Sequence, residues 1–260
     1  VCSSEFDRID PEGNAMNWHA HEMLFGYVGA VVAGFILTAI PNWTGRLPVM
    51  GLPLMLLFLV WLAGRIAMFV GGNPVLVTII DCLFLISVAG FAWREVMAGR
   101  NWRNLPVCLL ISLLALSNIA DHAGEAMGLP FQTGLRSALA LITVLMMLIG
   151  GRIIPSFTTN WMKKQGMVKL PVPFNIYDKA CLLLSIVVLI GWIGFPNSTA
   201  IETGLLVAAL LHLIRLLRWR GWQVISEPIV VILHIAYAWI PVAFALMGLA
   251  IMRPDSLTAA

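Results

Sequence analysis

The chain has 260 residues, of which 60% are hydrophobic and 11% are charged, and its mean hydropathy is +0.91. Because soluble domains carry about 25% charged residues, this composition excludes a soluble globular protein and indicates a polytopic integral membrane protein in a lipid bilayer. The formal net charge of +3 is too small to indicate a nucleic-acid partner, so we expect no nucleic acid to be bound.

The two ends of the chain are polar. The sequence starts at Val1 without a methionine and continues into the charged stretch 5–12, which is neither a signal peptide nor an apolar helix. It finishes in the polar tail 253–260. We therefore expect residues 1–260 to form a single membrane domain that is an internal fragment of a longer protein.

Apolar runs recur along the whole chain between these ends. A bilayer core of about 30 Å requires about 20 apolar residues in a helix, and eight segments meet that length. The predicted fold is thus an all-α transmembrane bundle of about eight helices. The segments are 20–41, 51–71, 74–93, 105–123, 134–154, 176–194, 201–219 and 229–251.

Lysine and arginine are unevenly divided between the two sides of these segments. Alternate connections and the helix ends beside them hold 12 of the 16 basic residues, which are Arg46, Arg94, Arg100, Arg103, Arg152, Lys163, Lys164, Lys169, Lys179, Arg215, Arg218 and Arg220. By the positive-inside rule these connections face the cytoplasm. The stretch that contains residue 1 is therefore predicted to face outward, into the periplasm of a Gram-negative organism.

The first segment opens with two closely spaced histidines. His19 and His21 are separated by one residue and followed by Glu22, and imidazole is the commonest protein ligand for metals and for haem iron. On a helix, residues i and i+2 point about 200° apart, so both imidazoles could bind one metal only if this stretch is not regular helix. Otherwise the two histidines face different partners or simply cap the helix at the membrane interface.

A third histidine is predicted at the same outer edge. His122 ends the fourth segment and is preceded by Asn118 and Asp121. Asp121 or Glu125 could orient its imidazole, as carboxylates do behind metal-binding histidines. A purely structural role for this group is equally compatible with the sequence.

Two opposite charges lie inside the predicted hairpin of the second and third segments. Arg65 and Asp81 are each about seven residues from its turn. An unpaired charge at that depth costs at least about 2.5 kcal/mol, so we expect the two side chains to form a salt bridge. A structural role is favoured, with a proton or ligand pathway as the alternative.

Two more histidines are predicted in the inner half of the membrane. His212 precedes Arg215 and Trp219, and His234 lies three residues before Tyr237. Arginines at an inner helix end are expected anchors, but they do not explain a histidine at that depth. Ionisable residues inside a membrane are functional candidates, so we count both histidines among the site residues.

Two segments are predicted to end in proline turns on the inner side. The run 150–160 begins with two glycines, and Pro155 is expected to stop its helix. The run 40–46, with Pro41, is built in the same way. Helix capping is the favoured role of the run 150–160, and a loop that contributes to a site is the alternative.

Several of these motifs together resemble the NnrS family of bacterial membrane proteins. They are the run 18–26, the run 38–46, the run 150–160, His212 with Arg215 and Trp219, and the run 234–241. The resemblance covers the whole chain. It implies a protein of the bacterial inner membrane with about twelve helices in its full length, so this chain would lack helices at both ends.

The resemblance also implies haem and copper as cofactors and a role in nitric oxide metabolism or the nitrosative stress response of denitrifying bacteria. We expect the outer histidines His19, His21 and His122 to bind copper, and the inner pair His212 and His234 to bind haem. Nitric oxide could be a substrate, a signal or an inducing condition, and the sequence identifies no protein partner.

A secondary transporter or proton-coupled exporter is the alternative function. In that case Arg65, Asp81, Asp121 and the histidines would form a relay at membrane depth. The sequence contains no Walker A, G-x-G-x-x-G, G-x-S-x-G or H-E-x-x-H motif, which argues against hydrolysis and nucleotide chemistry.

Overall fold

The structure, a computed structural model, describes residues 14–124, 126–130 and 132–252. Among these residues it contains helices and connecting turns but no strand, which confirms the all-α prediction. The α-helices are α1 (Asn14–His21), α2 (Gly29–Thr44), α3 (Leu52–Val70), α4 (Pro74–Ala98), α5 (Leu105–Ala123), α6 (Thr133–Lys164), α7 (Ile176–Gly194), α8 (Thr199–Arg218) and α9 (Pro228–Met252). A π-helix, Glu22–Val28, joins α1 to α2, and short 3₁₀ turns, Trp102–Asn104 and Gly221–Gln223, precede α5 and α9.

Eight helices in the described part of the chain are long and apolar enough to cross a membrane. The first of them combines α1, the π-helix and α2 into the continuous span Ala15–Thr44. The predicted segments match these eight helices in number and order, because long apolar runs separated by turn residues are a strong signal for membrane helices. The chain is therefore a multi-pass membrane protein.

The predicted proline stops at Pro41 and Pro155 are wrong. Both prolines lie inside helices, since α2 continues to Thr44 and α6 continues to Lys164. A proline inside a helix removes one backbone hydrogen bond, whereas unwinding several residues in an apolar environment would expose many polar groups. Continuing the helix through the proline therefore costs less free energy than unwinding it there. The run 150–160 is therefore part of α6 and not a turn.

The chain divides into two compact units, residues 1–141 and residues 142–260. We call them unit 1 and unit 2 and describe each by itself. The expectation of a single membrane domain stays a prediction.

In unit 1, α4 packs against α2, α3 and α5. Its buried face follows a stripe with spacings of four and three residues: Asp81, Leu85, Val88, Ala92 and Glu95. Such a stripe is the contact pattern of a helix that packs one face against other helices. Both ends of the stripe are carboxylates, so this helix brings a negative charge into each end of the unit.

In unit 2, α8 packs against α7 and α9. Its buried residues include Leu205, Ala208, His212 and Arg215, which recur at helical spacing along one face. The apolar half of that face packs like an ordinary helix interface. The last two turns of α8 instead place the imidazole of His212 and the guanidinium of Arg215 in the interior.

Candidate metal centre

Asp81 is the central residue of a polar cluster in unit 1. Its side chain is fully buried and its Oδ1 pairs with Arg65 Nη2. Gly64 on α3 permits this approach, because a Cβ there would lie 3.3 Å from the Asp81 Cα. The predicted salt bridge between Arg65 and Asp81 is confirmed.

Three further side chains converge on the other oxygen of Asp81. Its Oδ2 lies 3.2 Å from His21 Nε2, 3.0 Å from His122 Nε2 and 3.0 Å from Asn118 Nδ2. The two imidazole rings are 4.9 Å apart between centroids. One ligand atom each from His21, Asp81 and His122 therefore lies within 4.8 Å of the others, a spacing that could hold a metal ion.

The second ring nitrogen of His21 faces another carboxylate. Its Nδ1 lies 2.8 Å from Asp121 Oδ2. A neutral imidazole has only one N–H, whereas both neighbours of this ring are carboxylates, which accept hydrogen bonds when ionised. If a metal replaced the hydrogen on Nε2, Nδ1–H would still donate to Asp121. That is the carboxylate–histidine–metal arrangement found behind many metal ligands.

The π-helix shapes the backbone next to His21. This wide turn starts at Glu22, whose Oε2 lies 2.5 Å from Arg65 Nη1. Trp61 Nε1 donates a hydrogen bond of 3.0 Å to the carbonyl of Gly26. A side chain at Gly26 would collide with the Arg65 guanidinium. Since π-helical turns are rare and occur frequently at functional sites, the cluster and this turn together mark the region as a candidate site.

The cluster is rich in negative charge. Among the described residues it contains three carboxylates, from Glu22, Asp81 and Asp121, and one permanent cation, Arg65. With neutral imidazoles the sum is −2. The buried oxygens Glu22 Oε1 and Asn118 Oδ1 also have no hydrogen-bond partner among the described residues. The charge and the donor set both fit a divalent cation.

The structure separates the two histidines of the first motif. His21 is buried in the cluster, whereas His19 is exposed and makes no hydrogen bond or ion pair with it among the residues that the structure describes. The reason is that Asn14–His21 is regular α-helix, in which residues i and i+2 point in different directions. The geometry thus brings together His21 and His122 of the predicted outer trio.

Asp81 and Asp121 have roles that the sequence assigned differently. The sequence predicts Asp81 as the partner of Arg65, with a proton relay as the alternative, and predicts Asp121 or Glu125 behind His122. In the structure Asp81 also contacts both buried imidazoles, and Asp121 contacts His21. Glu125 lies outside the described residues. The usable signal for Asp81 was its ionisable side chain inside a predicted membrane segment, since such residues are functional candidates.

In unit 2, His212 is fully buried and both of its ring nitrogens are engaged. Nε2 lies 3.0 Å from Ser185 Oγ and Nδ1 lies 2.9 Å from Tyr237 Oη. The ring also packs against Phe244, with centroids 5.6 Å apart. In this arrangement His212 has no free nitrogen with which to bind a metal.

Arg215, one turn further along α8, is also fully buried. It donates hydrogen bonds to Asp178 Oδ1 at 2.9 Å and to Tyr237 Oη at 2.8 Å. A side chain at Gly151 would overlap its guanidinium, and one at Gly150 would crowd Tyr237. The two glycines of the run 150–160 therefore make room for this network instead of forming a turn.

His234 on α9 has a different environment. Its Nδ1 donates to the carbonyl of Val230 at 2.9 Å, while Nε2 is 3.4 Å from Thr158 Oγ1. Donation from one nitrogen to a backbone carbonyl is the usual state of a metal-binding histidine, because it leaves the other nitrogen free to bind. Tyr237 and Trp219 pack together, and His234 contacts the latter with ring centroids 6.5 Å apart.

Comparison with known protein families gives one match over essentially the entire chain. The sequence model described as NnrS protein matches residues 3–260. The chain belongs to the NnrS family. Comparisons with curated proteins and with solved structures found no match.

The two cofactors implied for the NnrS family can be compared with the residues present. His21, His122 and Asp81 fit a copper ion in donor type, number and charge. For haem, His234 has the hydrogen bonding expected of a histidine that would hold iron, whereas His212 would have to give up one of two good hydrogen bonds. The predicted assignment of His212 and His234 to haem stays a prediction.

Proposed function

We propose that this NnrS family member is a copper- and haem-containing membrane protein of the bacterial nitric oxide response, and that it binds copper through His21, His122 and Asp81. The observation that supports the copper site is the convergence of two imidazole nitrogens and one carboxylate oxygen within 4.8 Å. Copper chemistry in this place needs neutral imidazoles in a water-poor environment. His21 and Asp81 are buried, which supplies that environment.

The chain's own residues have distinct roles in this proposal. Asp121 holds the His21 ring through Nδ1 and so aims Nε2 at the metal position. Arg65 balances part of the charge of Asp81 and also pairs with Glu22. Nitric oxide is small and apolar enough to enter from lipid, so the site requires no polar channel for it. When bound, copper would supply a redox-active ion able to bind nitric oxide.

Metal analysis tests the copper site directly. We expect His21→Ala and His122→Ala in the full-length protein each to lower bound copper by at least about tenfold. Loss of a residue that only supports a metal ligand already lowers metal affinity by about that factor. His19→Ala is the matched control, since its imidazole is exposed outside the cluster, and it should leave copper unchanged. Copper per folded protein is measured by mass spectrometry. Equal losses in all three variants, or no loss in any, would rule out this site.

Haem content tests which of the two inner histidines, His212 or His234, binds haem. Because His234 Nε2 has only a long contact of 3.4 Å with Thr158, whereas both nitrogens of His212 have partners within 3.0 Å, we expect His234→Ala to abolish the Soret band. His212→Phe keeps the ring volume and should leave most of the band at its original wavelength. Absorbance spectra normalised to folded protein decide between them. Loss of the band in the His212 variant with retention in the His234 variant would reverse the assignment.

Proton-coupled transport is the second candidate, and one observation favours it. An unbroken chain of ionisable groups runs through unit 1, from Asp121 through His21, Asp81 and Arg65 to Glu22. Such chains inside membranes are typical of proton relays. Purified protein in vesicles distinguishes the two functions: metal-free protein that still dissipates a proton gradient would favour transport. Stoichiometric copper without proton flux would favour the metal site.

A further inference from the structure

A second charged group lies in unit 1 at the opposite end of α4. Glu95 is 3% exposed, and its two oxygens accept from two arginines. Arg46 Nε lies 2.5 Å from Oε2, and Arg94 Nη2 lies 2.7 Å from Oε1. One carboxylate thus faces two guanidinium groups, which leaves a net charge of +1. It has no part in the candidate metal centre.

These side chains border a cavity of about 510 Å³. Its walls are the connecting segment 45–50, Pro53 at the start of α3, and Arg94 with Glu95 on α4. The side chains of Arg46 and Arg94 are 45% and 63% exposed, so both remain accessible although each is paired. A guanidinium has five N–H donors, and Glu95 uses only part of that capacity.

The loop after α4 adds positive charge beside this cavity. Asn101 Nδ2 hydrogen-bonds to the carbonyl of Trp43, and this contact ties the loop to the end of α2. The loop carries Arg100 and Arg103, neither of which lines the cavity. This end of unit 1 is therefore basic, and it attracts anions.

The segment 45–50 and the first turn of α3 are also apolar at the surface. Leu47 is 86% exposed, Met50 is 63% exposed and Leu52 is 61% exposed. Leu47 and Met50 lie between the ends of two membrane-length helices, and Leu52 is the first residue of the second. The ends of such helices are expected near the level where lipid head groups meet acyl chains. Exposed leucine and methionine are costly in water but favourable against lipid. The surface therefore combines a cationic cavity with an apolar border.

We propose that this cavity binds the phosphodiester head group of an anionic phospholipid, with Arg46 and Arg94 as its ligands. Guanidinium groups match phosphate oxygens in shape and charge, and basic pockets between membrane helices are a known setting for acidic head groups. A free phosphate ion would use the arginines alone. An anionic lipid would also contact the exposed apolar side chains with its acyl chains. Its negative charge would offset the net charge of +1 of the group formed by Glu95 and the two arginines.

Native mass spectrometry of the full-length protein in detergent tests this proposal. The probes are phosphatidylglycerol and phosphatidylcholine with identical acyl chains. We expect retention of phosphatidylglycerol over phosphatidylcholine in the unmodified protein. The double substitution Arg46→Gln with Arg94→Gln should weaken that retention about thirtyfold. Each arginine contributes about 1 kcal/mol to the binding of an anionic lipid, and two such losses multiply to that factor.

The matched control is Arg100→Gln with Arg103→Gln, which removes the same charge from the same end of the unit without touching the cavity. It should change retention by less than about threefold. If the first variant fails to fold, Arg94→Gln alone preserves the pair of Arg46 with Glu95 and should still cost about fivefold. Equal losses in both double variants, no preference between the two lipids, or displacement of the lipid by an equal concentration of inorganic phosphate would each overturn the proposal.

Discussion

At the scale of single residues, His21 determines what the unit 1 cluster can bind. Its ring lies between two carboxylates, with Asp81 on Nε2 and Asp121 on Nδ1. This geometry assigns different roles to the two acids. Asp81 shares its oxygen with His122 and is a candidate ligand. Among the described imidazoles, Asp121 contacts only Nδ1 of His21, on the far side of the ring from Asp81.

Substitution of Asp121 tests that division. Asp121→Asn preserves the shape of the side chain but removes the charge that orients Nδ1–H of His21. We expect copper affinity to fall roughly 10- to 100-fold while binding stoichiometry is retained. Competition with a copper chelator gives the affinity. Glu202→Gln, an acid-to-amide change in unit 2, is the control, and an unaltered affinity in the Asp121 variant would show that this carboxylate does not orient the ligand.

Part of this site was predictable from the sequence and part was not. His21 and His122 were recognisable because an imidazole near a membrane edge is uncommon and chemically distinctive. Arg65 and Asp81 could be paired because a short hairpin fixes their relative depth. The contact of His21 with Asp121 spans 100 positions in the chain, and local spacing carries no information about it. By contrast, the separation of His19 from the cluster follows from local spacing, because residues i and i+2 of a regular helix point in different directions.

At the scale of elements, the π-helix Glu22–Val28 contains a glycine that is closely packed against a neighbouring side chain. Gly26 lies against the Arg65 guanidinium, and its carbonyl accepts from Trp61. Gly34, further along the same membrane span, has open space where a Cβ would be placed. The two glycines thus form a natural pair for comparison.

We expect Gly26→Ala to destabilise the folded protein by about 1–3 kcal/mol, the usual cost of overpacking an interior. Gly34→Ala should be neutral or stabilise by up to about 1 kcal/mol, because alanine favours a helix. Thermal unfolding in detergent, followed by circular dichroism, gives both values. If Gly26→Ala unfolds no earlier than Gly34→Ala, then Arg65 can move away at no cost and the close packing is unimportant.

Helix positions were predicted well, and two helix ends were not. Length and hydropathy fix where apolar segments occur, so all eight membrane helices were found in order. Proline is a reliable helix stop in water, but inside a bilayer the backbone has no alternative hydrogen-bond partners. That is why α6 passes through Pro155 and why Gly150 and Gly151 serve packing inside a helix. A π-helical turn leaves no recognisable pattern in hydropathy.

At the scale of the whole molecule, membrane orientation is a prediction that rests on the distribution of lysine and arginine. Ser198 lies in the connection predicted to face outward, and Gln165 lies in one predicted to face the cytoplasm. In a background that carries Cys2→Ser, we expect an impermeant thiol reagent added to intact cells to label Ser198→Cys and not Gln165→Cys. Cys82, Cys108 and Cys181 are buried and should contribute little background.

The reverse labelling pattern would invert the topology. It would place the Arg46 and Arg94 cavity on the outer face and the His21 cluster on the inner one. Labelling of both positions in intact cells would instead indicate leaky cells, and a second reagent applied after permeabilisation identifies that case.

The stripe on α4 has a mechanical consequence. Asp81 and Glu95 are fourteen positions apart, which corresponds to about 21 Å along the axis and to almost the same angular position. Each carboxylate is held by partners on other elements, Asp81 by Arg65 and Glu95 by Arg46. Rotating α4 about its own axis would therefore break ion pairs at both ends at once. Within unit 1 the two ion pairs together therefore oppose rotation of this helix relative to its neighbours.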